Sequence, residues 1–237
     1  MAKKRGTDKV ENTRNLIFAV VIAIGITLVG LGVYLSSGLA QNTTPAEGED
    51  YALIENADRV RKGDPIKVYE FFSYGCVHCR NFDPELDAWL TTTADDVAFS
   101  RKPAAFSRTW TLLGQGYLAL EQANAVEGNH AKLFSAVHDF GKTFRSGQEM
   151  ADYLDSKELP AAEFMRAFNN PKVRRKLAQA ETEGSRYKVQ SVPTMVVAGK
   201  YTVDMGNGMQ RALEVVDYLI TQERAKRTGD SAVANGP

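Results

Sequence analysis

Two cysteines three residues apart are the side chains with the clearest chemistry in this 237-residue chain, and the chain has no other cysteine. Cys76 and Cys79 follow a short, mostly apolar run, residues 66–73, that is typical of an interior strand. Gly75 marks a break, and residues 81–90 carry apolar side chains at helical spacing. The pattern predicts a strand, a tight turn and a helix, with Cys76 at the helix N-terminus.

This position predicts two unequal sulfurs. Free backbone N–H groups and the helix dipole stabilise negative charge at a helix N-terminus, so we expect Cys76 to ionise readily. A protonated His78 adds positive charge beside it. Because a stabilised thiolate is a good leaving group, a Cys76–Cys79 disulfide is expected to oxidise other thiols. Cys79, which we expect to be less exposed, is placed to resolve a mixed disulfide.

The alternatives are an inert disulfide and half of a metal site. A metal site needs a second pair of ligands, but the remaining histidines, His130 and His138, are eight residues apart and are expected to be ordinary helix residues. A haem attachment motif needs histidine after the second cysteine, where this chain has Arg80. The sequence therefore favours a redox dithiol that works without a metal or another cofactor.

The N-terminal segment predicts a membrane anchor. Residues 1–15 are polar and basic, whereas residues 16–35 carry no charge and form about 30 Å of helix, enough to cross a bilayer. Residues 36–51 lack Lys and Arg, so the positive-inside rule places the N-terminus in the cytoplasm and the rest of the chain outside. A signal peptide cleaved after Ala40 is the alternative.

Composition and pattern divide the remainder of the chain. Residues 36–50 are expected to be a flexible polar linker, residues 51–227 one domain, and residues 228–237 a disordered tail. The chain is 43% hydrophobic and can bury a core, and its formal net charge is zero. Because no basic cluster follows the N-terminal arm, nucleic acid is not expected as a partner.

Strand and helix patterns within residues 51–227 predict an α/β fold. A helical block over residues 108–188, in which Pro160 and Pro171 mark helix starts, separates a β-α-β unit from a ββα unit. The predicted elements are strands at 51–54, 67–73, 97–102, 194–197 and 201–203, a helix after Cys76, and a last helix around 213–220. The final two strands are joined by so short a loop that they must be antiparallel.

Four short strings give the chain a family resemblance. They are Glu70-Phe71-Phe72-Ser73, Cys76-Val77-His78-Cys79, Val192-Pro193 and Gly199-Lys200-Tyr201. The dithiol helix after a buried strand, with Val-Pro before a later strand, resembles the thioredoxin fold. With the helical block, these strings resemble the DsbA family of periplasmic disulfide oxidoreductases across nearly all of residues 51–222. The resemblance implies a mixed sheet flanked by helices with an inserted all-helical domain.

The resemblance also implies roles for individual residues. Cys76 would be the exposed nucleophile and Cys79 the buried resolving thiol, while His78 would help to stabilise the thiolate. Pro193 would be a cis-proline facing the dithiol; an ordinary strand-start proline is the alternative. Val192 before it would offer backbone groups to an extended substrate.

Glu70 would lie beneath the dithiol, where the family's acid assists proton transfer to Cys79. The alternatives are a solvated face, or an ion pair with Arg101 or Lys102 on the neighbouring strand. Val77 departs from the frequent proline of the family, which leaves the oxidising strength open. Val77 and Tyr74 flank the dithiol, and with Val192 we expect them to contact substrate.

The implied function is oxidation of exported, unfolded, cysteine-containing proteins in the periplasm. The resemblance further implies a quinone-linked membrane partner similar to DsbB, which would reoxidise Cys76 and Cys79. A retained helix would make this a single-pass inner-membrane protein, and cleavage would make it a soluble periplasmic one. Two other classes stay open: a disulfide isomerase or reductase that keeps the same site reduced, and a non-enzymatic peptide-binding chaperone.

Overall fold

The computed structural model describes residues 5–39, 44–55, 57–58, 61 and 63–233, in two compact units spanning residues 1–44 and 45–237. The described part of the first unit is the helix α1 (Arg5–Leu39). Within it, Arg14–Val33 has 20 residues, a mean hydropathy of 2.8 and no buried side chain, so it is long and apolar enough to cross a membrane.

Helix α1 contains the whole predicted span, residues 16–35, and extends beyond it at both ends. The basic arm is helical from Arg5 onward, and residues 36–39, predicted as the start of the linker, are helical as well. The reason is that a helix already nucleated in an apolar stretch extends at little cost per residue. Residues 1–4 and 40–43, and with them Ala40, lie outside the described residues.

A mixed sheet forms the centre of the second unit. Its described strands are β1 (Tyr51–Leu53), β2 (Ile66–Phe72), β3 (Val97–Pro103), β4 (Thr194–Val197) and β5 (Tyr201–Val203). They lie in the order β1-β5-β4-β2-β3. Strand β2 pairs parallel with β3 and antiparallel with β4, and β5 runs antiparallel to both β1 and β4. The predicted strands and the predicted final hairpin are confirmed.

Helices cover both faces of this sheet. They are α2 (Val77–Thr92), α3 (Arg108–Gln122), α4 (His130–His138), α5 (Gly147–Leu154), α6 (Ala161–Phe168), α7 (Pro171–Arg186) and α8 (Met209–Val233). The predicted helical block over residues 108–188 corresponds to α3–α7. Pro160 is the N-cap of α6 and Pro171 the first residue of α7, as their positions predicted, because a helix start needs no N–H from proline.

Strand β2 lies between two hydrophobic cores. Every residue of β2 is buried except Lys67, as expected for a strand covered on both faces. On one face Val68 packs with Phe82 of α2 and Leu219 of α8, and on the other face Phe71 packs with Tyr187, the C-cap of α7. The end of β2 and the start of α2 are therefore held on both sides, and this junction carries the two cysteines.

The predictions for residues 45–50 and 228–233 are wrong. The linker was expected to run to residue 50, but Asp50 is 5% exposed and binds Arg211 through two hydrogen bonds of 2.9 and 3.0 Å. A paired, buried carboxylate fixes this segment against α8. At the other end, α8 continues to Val233 through part of the predicted disordered tail, because a packed helical stem allows further turns to form cheaply.

Candidate active site

The turn between β2 and α2 places Cys76 at the N-cap of α2. The Cys76 N–H donates to the carbonyl of Ser73 at 3.0 Å, and the Gly75 N–H donates to the Ser73 hydroxyl at 3.1 Å. We call residues 73–76 the active-site turn. Its conformation leaves Cys76 extended, at φ −105° and ψ 116°, and Cys76 Sγ accepts the N–H of Cys79 at 3.3 Å. The predicted position of Cys76 is confirmed.

Gly75 is required by a close contact. A Cβ atom at this position would lie 2.4 Å from Trp110 Nε1, which is closer than real Cβ contacts allow. The Trp110 ring in turn stacks on Phe106, with centroids 5.7 Å apart. Phe106 is exposed, so this aromatic pair extends the surface beside the dithiol.

The two sulfurs differ in exposure and in partners. Cys76 is 8% exposed and Cys79 is fully buried, and both are free thiols in this structure. The predicted order of exposure is confirmed, although Cys76 is much less open than an exposed nucleophile. The Cys76 thiol donates to the carbonyl of Val192 at 3.2 Å. The peptide bond between Val192 and Pro193 is cis, as predicted, and Pro193 is buried.

The environment of Cys76 lowers its pKa from 9.0 to about 6. A hydrogen bond from the Cys79 side chain is the largest cause, and burial opposes it. The backbone N–H groups of Cys79 and His78 lower the pKa further, followed by the charge of His78. The sequence predicted the direction from the helix N-terminus and His78, but it missed the larger contribution of the second thiol.

Cys79 shows the opposite shift. Burial raises its pKa above the ordinary 9.0, and the neighbouring Cys76 and the charge of Glu70 raise it further. At neutral pH the pair therefore favours one thiolate, on Cys76, and one thiol, on Cys79. Since the pair titrates together, this ordering of the two sulfurs is the property on which the chemistry depends.

A group of charged and polar side chains lies behind Cys79, and we call it the buried polar cluster. Its members are Glu70, Asp83, Arg101 and His130, with Asp87 at its exposed edge. Arg101 donates through Nε to Glu70 Oε2 at 3.0 Å, and through Nη2 to Asp83 Oδ1 and Asp87 Oδ1, both at 2.9 Å. The contact with Arg101 that the sequence offered as an alternative is thus present in the structure, since Glu70 faces Arg101 across β2 and β3.

Glu70 is 1% exposed, and its surroundings raise the pKa of its carboxyl group from 4.5 to about 8. Burial is the largest cause; the charge of Arg101 opposes it, and the negative charges of Asp83 and Asp87 add to it. Close to neutral pH this group can therefore either give or take a proton. The charge of Glu70 also raises the pKa of Cys79.

The prediction that Tyr74 contacts substrate is wrong. Tyr74 is fully buried, and its hydroxyl group lies 2.7 Å from Nδ1 of His130. Its ring packs edge-on against Phe72 and Phe134, because the helical block covers this side of the active-site turn. The sequence showed that Tyr74 is near the dithiol, but it could not show the direction of its side chain, which depends on the helices that cover the turn.

The other residues predicted to contact substrate, Val77 and Val192, are on or near the surface. Val77 is 47% exposed and Val192 is partly buried. His78 is exposed between the two cysteines. Within the part of the chain that the structure describes, no group of three or more His, Cys, Asp or Glu is arranged to hold a metal ion.

Sequence reasoning missed Asp83 and His130 as part of this site. His130 Nε2 lies 3.0 Å from Asp83 Oδ1, and both residues are buried. The one available signal was Asp83, which follows Phe82 on the buried face of α2 where a carboxylate needs a partner. Nothing in the spacing of His130 pointed to it, since the two residues are 47 positions apart.

Comparison with known proteins gives the same result over most of the chain. Residues 107–219 match a family model described as the DSBA-like thioredoxin domain. The thiol:disulfide interchange protein DsbA of Azotobacter vinelandii is 34% identical over 209 residues, covering 86% of this chain and 98% of that protein. The chain belongs to the DsbA family.

Solved structures of DsbA share the fold. The crystal structure of Pseudomonas aeruginosa DsbA gives a TM-score of 0.74 at 34% identity, over 78% of this chain and 97% of that one. DsbA from Xylella fastidiosa gives 0.73 at 31% identity, over 77% of this chain and all of that one. The predicted thioredoxin-like fold with a helical insertion is confirmed, and the chain is a thiol:disulfide oxidoreductase.

Proposed function

We propose that this DsbA-family chain donates a Cys76–Cys79 disulfide to unfolded, cysteine-containing exported proteins. The observation that supports this most strongly is the opposite shift of the two sulfurs, which lowers the pKa of Cys76 to about 6 and raises that of Cys79. A thiolate that is stable on Cys76 makes the reduced pair favourable, and the disulfide is therefore a strong oxidant.

The reaction takes two exchange steps. A substrate thiolate first attacks Cys76 Sγ: the new bond joins the substrate sulfur to Cys76, and the electron pair of the broken bond leaves on Cys79. A second substrate thiolate then attacks the substrate sulfur, and Cys76 leaves as its stabilised thiolate. The substrate dithiol is oxidised to a disulfide, and Cys76 and Cys79 are reduced.

Glu70 is the proton donor for Cys79 in the first of these steps. Because the pKa of Glu70 is raised to about 8 by burial, its carboxyl group is protonated at neutral pH. The thiolate that forms on Cys79 is unfavourable in its buried position, so it takes this proton and leaves Glu70 as a carboxylate beside Arg101. During reoxidation the same group accepts the proton of Cys79.

Val192 and Pro193 align the substrate. The Val192 carbonyl accepts the Cys76 thiol proton in the reduced structure, and this acceptor is released once Cys76 is in a disulfide. An extended substrate can then donate a backbone N–H to it, which brings the substrate sulfur to Cys76. Val77 and the stacked pair of Phe106 and Trp110 offer apolar surface next to this position.

The proposal is tested by titrating the Cys76–Cys79 pair against glutathione at equilibrium. An oxidase is expected to be reduced by a mainly oxidised glutathione buffer, with a potential well above that of the glutathione pool. A pair that becomes oxidised only far below that pool supports the reductase or isomerase. A chaperone is distinguished by a variant with both cysteines replaced, which would hold unfolded client as well as the intact chain does.

We further propose that α1 anchors the enzyme in the inner membrane, with the catalytic domain in the periplasm and reoxidation by a quinone-linked partner similar to DsbB. The 20-residue apolar stretch Arg14–Val33 supports this. Fractionation of cells tests the anchor: membrane-bound full-length chain is expected, and a soluble form beginning after Ala40 would contradict it. Accumulation of reduced chain when membrane quinones are depleted is the expected sign of the partner.

A further inference from the structure

The chain contains three histidines, and all three lie around the dithiol. His78 separates the two cysteines, whereas His130 and His138 come from α4 of the helical block. His138 Nε2 donates to the backbone carbonyl of Tyr74 at 2.9 Å, directly before Gly75 and Cys76. His130 is 6% exposed and contacts both the Tyr74 hydroxyl and Asp83. The exchange steps described above do not use His130.

Hydrogen bonds connect His130 with the proposed proton donor. Asp83 is a carboxylate, so His130 Nε2 carries a hydrogen and donates to Asp83 Oδ1 at 3.0 Å. The same oxygen accepts from Arg101 Nη2 at 2.9 Å, and Arg101 Nε donates to Glu70 at 3.0 Å. Asp83 Oδ1 therefore accepts hydrogen bonds from both His130 and Arg101, and Arg101 also binds Glu70.

We propose that His130 is a positioning residue for the proton transfer at Cys79: its hydrogen bond to Asp83 keeps Arg101 shared between Asp83 and Glu70. Without this donor, Asp83 would depend on Arg101 for its charged hydrogen bond and would draw the guanidinium group away from Glu70. The less neutralised charge of Asp83 would also act more strongly on Glu70. Both changes make the Glu70 carboxylate less favourable.

The groups facing Glu70 make the direction of this effect definite. They are Arg101 on β3, Asp83, Asp87 and Cys79 on α2, Tyr74 on the active-site turn and Tyr117 on α3. Among the largest influences on the Glu70 pKa, Arg101 is the cation that lowers it, and Asp83 and Asp87 are the anions that raise it. His130 and Arg101 hold the pKa of Asp83 below its ordinary value in spite of burial. Loss of His130 therefore shifts this balance toward protonated Glu70, and loss of the Asp83 charge shifts it toward ionised Glu70.

This inference rests on the proposed role of Glu70, so the experiment measures both. The rate of oxidation of a reduced test peptide is followed against pH for the intact chain and for Glu70→Gln. Dividing the rate of the intact chain by that of Glu70→Gln cancels the ionisation of the peptide thiols. As pH rises, this ratio should fall when Glu70 loses its proton, with a midpoint near pH 8, and we call this fall the decline. A ratio that does not depend on pH would refute the proton-donor role itself.

The second set of variants tests His130. His130→Phe keeps an aromatic ring among Phe72, Tyr117 and Phe134 but cannot donate to Asp83. It is expected to move the decline of the rate ratio to higher pH by about 0.5 to 1 unit. His130→Gln, whose amide N–H can replace Nε2–H, is expected to restore the position of the decline.

Asp83→Asn provides a test that general damage to the fold cannot imitate. It removes the negative charge next to Glu70, and the decline is expected to move to lower pH, opposite to the effect of His130→Phe. His138→Gln and Tyr74→Phe serve as matched controls, since they alter the other histidine of α4 and the other partner of His130. Neither is expected to move the decline.

The inference is overturned if the rate of His130→Phe declines at the same pH as that of the intact chain, while Glu70→Gln still abolishes the decline. A shift of the same sign in His130→Phe and Asp83→Asn would overturn it as well. If His130→Phe does not fold, His130→Leu, which also lacks a donor for Asp83, takes its place: a decline at higher pH supports the inference, and an unchanged decline overturns it. If His130→Phe still changes the dependence of the rate on pH when both proteins also carry Glu70→Gln, His130 acts by a route that does not involve Glu70.

Discussion

The two sulfurs of this enzyme face two differently built regions. Cys76 lies on the active-site turn, where backbone N–H groups, a helix N-terminus and the carbonyl of Val192 surround it. Cys79 faces the buried polar cluster, in which four charged side chains and His130 are joined by hydrogen bonds. The first region stabilises a negative charge on Cys76 with the Cys79 thiol and with backbone N–H groups, and the second can change its own charge by moving a proton.

The comparison shows how the two halves of the reaction are divided. Backbone N–H groups do not titrate and the Cys79 thiol has a raised pKa, so both favour the Cys76 thiolate over a wide pH range. Glu70 does titrate near neutral pH, because burial and Arg101 act on it in opposite directions. The front of the site is therefore expected to set the oxidising strength, and the region behind Cys79 to set the pH dependence of the rate.

The largest effect is expected from removing either of the two cysteines. Cys76→Ser removes the nucleophile, so oxidation of a reduced peptide should fall to the uncatalysed rate. Cys79→Ala keeps the nucleophile but removes the resolving thiol, so mixed disulfides with substrate should accumulate and appear on non-reducing gels. If Cys76→Ser retains full activity, the attack takes place at Cys79 and the division between the two regions is wrong.

Stability of the oxidised protein is expected to respond to Glu70. Its pKa is raised from 4.5 to about 8, so the folded state favours the protonated group. The corresponding stabilisation is complete below pH 4.5 and is lost as pH rises through 8, by on the order of 2 to 3 kcal/mol between pH 5 and 7. Urea unfolding at several pH values measures it.

Glu70→Gln is the control for that dependence, because an amide does not titrate. In this variant the free energy of unfolding should no longer decline between pH 5 and 8, because the other carboxylates of the cluster are not expected to cause that decline. An equally steep decline in Glu70→Gln would assign it to other groups and would remove Glu70 from the account of the region behind Cys79.

In the reduced protein, Cys76 should cause the opposite dependence of stability on pH. The folded pKa of Cys76 is about 6 and the ordinary value is 9.0, so stability is present above pH 9 and is lost as pH falls through 6. At pH 7.5 the thiolate should stabilise the reduced form by about 1 to 2 kcal/mol, allowing for some screening by solvent. Cys76→Ala should abolish this dependence, and persistence of it there would contradict the assignment.

The smallest effect is expected at the surface beside the dithiol. Val77 is 47% exposed and contributes little to the core, so Val77→Ser should leave the unfolding free energy almost unchanged. It should raise the KM for a cysteine-containing peptide by about two- to fivefold, because one apolar contact with substrate is lost. Lys157→Ser, an exposed change in the loop after α5, should have no effect on KM.

The same two regions differ in how far the sequence could predict them. The active-site turn is encoded locally: the apolar run of β2, Gly75 and the helical spacing after Cys79 were enough to place Cys76 at a helix start. The buried polar cluster joins residues from β2, α2, β3 and α4, and its link between Asp83 and His130 spans 47 positions in the sequence, more than its other links. Periodicity carries no information about such contacts.

Errors at the edges of the prediction have similar causes. Tyr74 was expected on the surface because it is next to the dithiol, but α4 covers it and binds its hydroxyl. Asp50 was assigned to a polar linker, yet its partner Arg211 lies 161 positions away. In both cases a polar group that looked solvated in sequence is satisfied by a distant partner in the fold.

The measurement that tests the central claim most directly is the ionisation of Cys76 in the reduced protein. The rate of its alkylation, followed against pH with Cys79→Ala as the single-thiol form and Cys76→Ser as the blank, gives the pKa of the nucleophile. In the intact dithiol the account predicts a midpoint near 6, and a higher one in Cys79→Ala because the hydrogen bond from Cys79 is removed. A midpoint near the ordinary value of 9.0 in the intact dithiol would contradict it.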